Sequence, residues 1–122
     1  MVRSLMQVYV KNSKEAVPFY EKAFGVKCEN AYQNEDGSYI HAELNLFGQF
    51  LAVSETSDHD SAAGNTMQFC LHFHESEKEI MENIYKVLSD GAKINFPLGP
   101  CFFSPSMFGL IDKYGVNWCM FY

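Results

Sequence analysis

Met6-Gln7-Val8-Tyr9-Val10 returns half a chain length later as Met67-Gln68-Phe69-Cys70-Leu71. Both are short apolar runs of strand type. The residues after each copy make the echo a repeat. After the first come Asn12-Ser13-Lys14-Glu15, then Ala16, Val17, Tyr20, Ala23 and Phe24, then Gly25. A capping residue with Glu three positions on, apolar residues at helical spacing and a closing glycine describe one amphipathic helix. Pro18 is expected to shorten its regular part, because a missing N–H is tolerated best in the first turn. After the second copy, Ser76-Glu77-Lys78-Glu79 has the form of a capping box. Ile80, Ile84, Val87 and Leu88 make one stripe, and Asp90-Gly91 ends it.

Each half then turns to strands. Tyr39 to Phe47 alternates, with Ile40, Ala42, Leu44 and Leu46 on one side and His41, Glu43 and Asn45 on the other. Asp36-Gly37 signals a hairpin before it, and Phe47-Gly48-Gln49 a turn leading to an apolar strand from Gln49 to Glu55. The polar stretch Thr56 to Asn65 links the halves. In the second half, Ala92 to Phe96, Gly109 to Asp112 and Val116 to Tyr122 are expected strands. Pro97, Gly99, Pro100 and Pro105 predict a loop between the first two. The string is βαβββ twice. It predicts an α+β domain over residues 1–122, made of modules 1–60 and 61–122. Two βαβββ modules would form a cupped mixed β-sheet with the helices outside and a cavity between the inner faces.

Composition narrows the function. Nine Lys and Arg stand against fifteen Asp and Glu, a net charge of −6, which disfavours nucleic acid and anionic membranes as partners. No window reaches the roughly 18 apolar residues of a membrane span. Met1 to Gln7 lacks the long apolar stretch of a signal peptide, so a cytoplasmic protein is expected. Cys28, Cys70, Cys101 and Cys119 are scattered and read as reduced thiols. Nineteen aromatic residues can fill a core, line a pocket or form an interface.

Four segments carry a family resemblance. They are Ala16 to Gly25, His41-Ala42-Glu43-Leu44, Phe102-Phe103, and Gly109 to Trp118 with its Asp112-Lys113-Tyr114-Gly115-Val116-Asn117-Trp118 ending. The chain resembles the vicinal oxygen chelate superfamily of glyoxalase I, extradiol dioxygenases and bleomycin-resistance proteins. Within it the chain is similar to the PhnB-like branch, with Tyr114 in place of that branch's Phe. The resemblance implies the glyoxalase/bleomycin-resistance fold, a homodimer and, in many members, one divalent metal on the inner sheet face. The family's ligand positions fall at Leu5 and Thr66, or at Gln7 and Gln68, near Ala52, and at Cys119. None holds His or Glu, and hard cations need several such ligands, so no metal site and no cofactor are expected.

Strand alternation directs Gln7, Tyr9, His41, Glu43 and Asn45, then Gln68, Cys70, His72, Asn117 and Cys119, to the enclosed face. His41 and Glu43 share a face two residues apart and are the candidate acid and base, against the alternative of a polar surface without chemistry. His72-Phe73-His74 has the spacing of a metal pair on a strand, against one inward His and one loop His. Cys101 and Cys119 are thiols with no base or cation in sequence to activate them. Phe102, Phe103, Met107 and Phe108 suggest an aromatic lid or a dimer contact. Phe103 takes the Trp position of the branch's Phe-Trp-Gly segment. Asp58-His59-Asp60 reads as a solvated connection. The expected ligand-binding set is Gln7, Tyr9, His41, Glu43, Gln68, Cys70, His72, Phe103 and Cys119. The function expected is metal-independent binding of a small molecule. The alternatives are a metal-dependent lyase, isomerase or dioxygenase with shifted ligands such as His72 and Glu43, and a dimeric interaction module with no ligand.

Overall fold

The computed structural model describes residues 2–57 and 66–122. The chain divides into two compact units, Met1–Ser61 and Ala62–Tyr122. Asp58-His59-Asp60 lies outside the described residues.

The first unit runs β1 (Met6–Val10), α1 (Ser13–Phe24), β2 (Glu29–Gln33), β3 (Tyr39–Leu46) and β4 (Gln49–Glu55). Its sheet has the order β1-β4-β3-β2, with β1 parallel to β4 and the other pairs antiparallel. Ala16, Val17, Tyr20, Ala23 and Phe24 are buried on the helix, and Ala42, Leu44, Leu46, Leu51 and Val53 on the sheet. Two expectations change here. Helix α1 passes through Pro18 as one continuous element. Pro18 is exposed on the solvent side, so its lost N–H leaves the buried stripe intact. Ile40 is exposed, unlike the other apolar residues of β3. The neighbouring Tyr39 amide donates to Ser13 Oγ at 2.8 Å.

The start of α1 is built across the chain. Asn12 sits at φ 61°, in the left-handed region, and its amide donates to Glu15. The cap comes from Glu55 at the end of β4, which accepts the N–H groups of Asn12 (3.0 Å) and Ser13 (2.8 Å) and the Ser13 hydroxyl. Burial raises the Glu55 pKa, but the Ser13 hydroxyl and these two N–H groups outweigh it, so the carboxyl lies below its ordinary value. Gly25, at φ 68°, closes the helix by donating to Glu21 O, as predicted.

The second unit runs β5 (Phe69–His72), a 3₁₀ turn (Glu75–Glu77), α2 (Lys78–Leu88), β6 (Lys93–Cys101), β7 (Ser104–Ile111) and β8 (Asn117–Phe121). Its sheet order is β5-β8-β7-β6, with β5 parallel to β8. The repeat thus reproduces one topology twice. The capping box forms two residues earlier than expected. The His74 N–H donates to Glu77 Oε1 at 2.8 Å and opens the 3₁₀ turn that leads into α2. Met81, Ile84 and Leu88 form the buried stripe, while Ile80 is exposed.

The loop predicted at Pro97 to Pro105 is a hairpin. Strands β6 and β7 run to its tip at Phe102-Phe103, with Cys101 paired to Ser104. Proline is accommodated because β6 is an edge strand with repeated register shifts, and Pro105 lies beside the tip. Asp112 is buried at the next turn. It accepts the N–H groups of Tyr114 and Val116, and the Trp118 indole N–H at 2.9 Å. The Asp-Lys-Tyr-Gly-Val-Asn-Trp ending is therefore a structural clamp.

Candidate functional site

In a pleated sheet, partners across the ladder share a face. On the first sheet Gln7 pairs with Ala52 and Ala52 with Glu43, while Tyr9 pairs with Ser54 and Tyr32 with His41. These residues lie on the face that α1 does not cover. Glu43 is the centre of that face, and its side chain is only 7% exposed. A carboxylate so placed needs partners to offset its desolvation. His41 Nε2 is 2.8 Å from Oε2. Arg3, from the segment before β1, donates from Nη1 to Oε1 and from Nη2 to Oε2, both at 3.3 Å. Asn30 Nδ2 lies 3.4 Å from Oε1. The His41 contact is the main cause that lowers the Glu43 pKa; burial opposes it, and Arg3 and Asn30 add to it. Glu43 is thus ionised at neutral pH, an acceptor and base rather than an acid.

Arg3, Asn30 and Phe50 were missed in the sequence. Arg3 lies over the Phe50 ring, 5.0 Å from its centroid. Phe50 pairs with Asn45, so the His41-Glu43-Asn45 alternation could have found it. Asn30 reaches the face because β2 shifts register after Glu29 and Asn30 adopts φ 49°. Of the other predicted residues, Gln7 donates to Ser54 Oγ at 3.0 Å, and Tyr9 is 66% exposed without a hydrogen bond into the cluster.

The equivalent face of the second sheet is different. Cys70 pairs with Cys119, and His72 with Phe121. Gln68 Nε2 donates to Asn117 Oδ1 at 3.2 Å, and the Cys70 thiol lies 3.6 Å from Gln68 Oε1. His72 stacks on Phe121 with ring centroids 4.5 Å apart, and Phe103 meets the same ring edge-on at 5.2 Å. Burial, then Cys70 and Cys101, push the Cys119 thiol up to about 11, so it carries its proton at neutral pH. Gln7, Tyr9, Gln68, Cys70 and His72 are exposed. The four-residue aromatic lid divides: Phe102 is 99% exposed and Phe103 half exposed at the hairpin tip, whereas Phe108 is core against Tyr85.

The expected divalent-ion positions do not fit an ion. Leu5 and Ala52 offer no donor, Gln7 and Gln68 offer only neutral amide oxygens, and Cys119 holds its proton. His74 lies past the end of β5 with its N–H in the helix start, so it does not continue the strand face of His72. Among the described residues no group of three or more His, Cys, Asp or Glu is arranged to hold a metal. Among them, too, no helix is long and apolar enough to cross a membrane.

Solved structures similar to this chain share its fold. The PhnB protein of Bacillus cereus, described as a putative 3-demethylubiquinone-9 3-methyltransferase, is 23% identical with a TM-score of 0.80, over 98% of this chain and 97% of that one. TioX from Micromonospora sp. ML1 is 21% identical with a TM-score of 0.69, over 98% and 97%. The fosfomycin resistance protein FosX of Listeria monocytogenes, complexed with Mn(II), is 14% identical with a TM-score of 0.66, over 99% and 90%. No curated protein matches the sequence. Residues 4–120 match the family profile, and the duplicated strand-helix-strand topology agrees with it: the chain belongs to the Glyoxalase/Bleomycin resistance protein/Dioxygenase superfamily.

Proposed function

We propose that this chain is a metal-independent small-molecule-binding protein of the PhnB-like type, with Glu43 as the ionic centre of its ligand site. The observation that carries this is a nearly buried, ionised carboxylate on the sheet face that α1 leaves uncovered. Core packing gains nothing from a charge there, since a similar apolar residue is often as stable or more so. A ligand site gains an oriented acceptor, with His41 beside it to hold or pass a proton. Exposed tyrosines at positions 9 and 32 supply flat apolar surface on the same face. Gln7 belongs to this site; Gln68, Cys70, His72, Phe103 and Cys119 are a candidate ligand surface of the second unit, of mixed thiol and aromatic character. The two units act as one domain of a homodimer; exposed Met67, Phe96 and Phe102 fit a subunit contact. Four free thiols fit a reducing, cytoplasmic setting.

A thermal-shift screen against a chemically varied library tests the site, because a ligand that binds only the folded state raises Tm. The expected result is hits that shift the native protein and fail to shift Glu43→Gln. Hits that shift both equally would move the site away from Glu43, and a screen without hits would leave the face as a surface only. Sedimentation equilibrium tests the homodimer.

A further inference from the structure

We infer that the Arg3 guanidinium is an internal stand-in for a cationic ligand, and that the seat it occupies between Glu43 and Phe50 takes organic guanidinium, amidinium or ammonium compounds. This rests on the small-molecule reading above and names the ligand class of the same site.

The geometry around Glu43 is unequal. The His41 contact is short, at 2.8 Å, whereas both Arg3 contacts are 3.3 Å. The Arg3 side chain is 51% exposed and comes from the segment before the first strand. A long, half-solvated ion pair is weakly held, so a competing cation has little to displace. The seat Arg3 would vacate is a recognition site for a planar cation. It has two carboxylate oxygens placed for bidentate N–H donation, and an aromatic face 5.0 Å from the charge. His41 and Asn30 keep the carboxylate oriented when Arg3 is absent.

The surroundings select the sign of the charge. Glu29 pairs with Glu43 across β2 and β3 and adds a second carboxylate to the row. The net charge of −6 draws cations from a distance. An apolar or aryl body on the ligand would find the exposed rings of Tyr9 and Tyr32, which lie on the same face. Arg3 then acts as a self-competitor. While its guanidinium is seated, the binding-competent fraction falls, and the apparent affinity falls with it.

Titration of the full chain with benzamidine, monitored by amide NMR shifts and calorimetry, tests this, with benzoate as the charge-inverted control. Shifts at Asn30, Glu43 and Phe50 are expected with benzamidine and not with benzoate. Arg3→Ala should tighten benzamidine about two- to sixfold, by releasing a seat that a half-solvated ion pair holds only weakly. Adding Glu43→Gln to that variant should lose at least the same factor, and adding Phe50→Leu instead should weaken binding without changing the fold. A dispersed amide spectrum confirms that each variant is folded. Equal or weaker benzamidine binding in Arg3→Ala would overturn the inference. So would benzoate binding that disappears in Arg3→Ala, because Arg3 would then be an anion anchor. If the library yields neutral or anionic ligands dependent on Glu43 while benzamidine does not bind, the cation inference fails and the small-molecule reading stands. If no compound of any charge binds, both fail.

Discussion

The two units share a strand order and a parallel first pairing, yet their helix-free faces carry opposite chemistry. Glu43 pairs with Ala52 beside Gln7, and Ile111 pairs with Asn117 beside Gln68, the repeat mate of Gln7. The position of the ionised carboxylate in one unit is thus held by isoleucine in the other, and that of His41 by Gly109. The first face is organised by charge, the second by thiols and stacked rings. The apolar faces stayed alike because each must pack a helix, whereas the faces without a helix were free to diverge. Chemistry is therefore found where the repeat is broken.

The units also differ in how carboxylates fix the chain, and that contrast is open to mutation. The largest effect is expected in the second unit. Trp118→Ala should cost about 3–5 kcal/mol in urea unfolding, since it empties a fully buried site and strips Asp112 of its indole donor. A loss below about 1 kcal/mol would mean that the clamp is not a core element. Next comes helix capping. Glu55→Ala in the first unit should cost about 1–2 kcal/mol, because one carboxylate serves two N–H groups and a hydroxyl. Glu77→Ala, which removes a single exposed cap bond, should cost less than Glu55→Ala by the same measurement.

Acid sensitivity should be smaller and should lie in the first unit. Glu43 and Glu55 both have folded pKa values below the ordinary carboxylate value. A depressed folded pKa gives stability that is present above the unfolded value, near 4.3 for Glu, and lost as pH falls through the folded one. Unfolding measured between neutral pH and acid should show that loss in the native chain and less of it in Glu43→Gln. An identical pH profile for the two would contradict the ionised cluster. The smallest effect concerns the second face. Alkylation of Cys119 by iodoacetamide should stay slow at neutral pH and rise only as pH approaches about 11, as resolved by peptide mass spectrometry. Fast modification at neutral pH would place that thiol in another environment.

The topology was legible in the sequence because it rests on signals that survive without context. The repeated strand-helix start, the buried stripe of α1, and Gly25 and Gly91 as stops fall where expected, whereas β5 begins at Phe69, after Met67-Gln68, and the α2 stripe takes Met81 in place of Ile80. The hairpin of β6 and β7 was not legible. Pro97, Gly99 and Pro100 are loop residues by local preference, and only an edge position in a formed sheet accommodates them as strand. The same division runs through the site. His41 and Glu43 are found by period-two alternation, and their contact is local. Arg3 and Asn30 enter through a segment outside any strand and through a bulge, neither of which has a periodic signature. Glu55 was read as a strand end; its capping role needs β4 to be aligned beside the start of α1, a long-range fact.

Gly109 carries one more implication. A methyl group at that position would stand 3.2 Å from the Phe96 ring, tighter than ordinary packing. The row that holds an imidazole in one half is therefore closed to any side chain in the other unless the phenyl group gives way. Point mutation alone would not readily make the halves chemical twins.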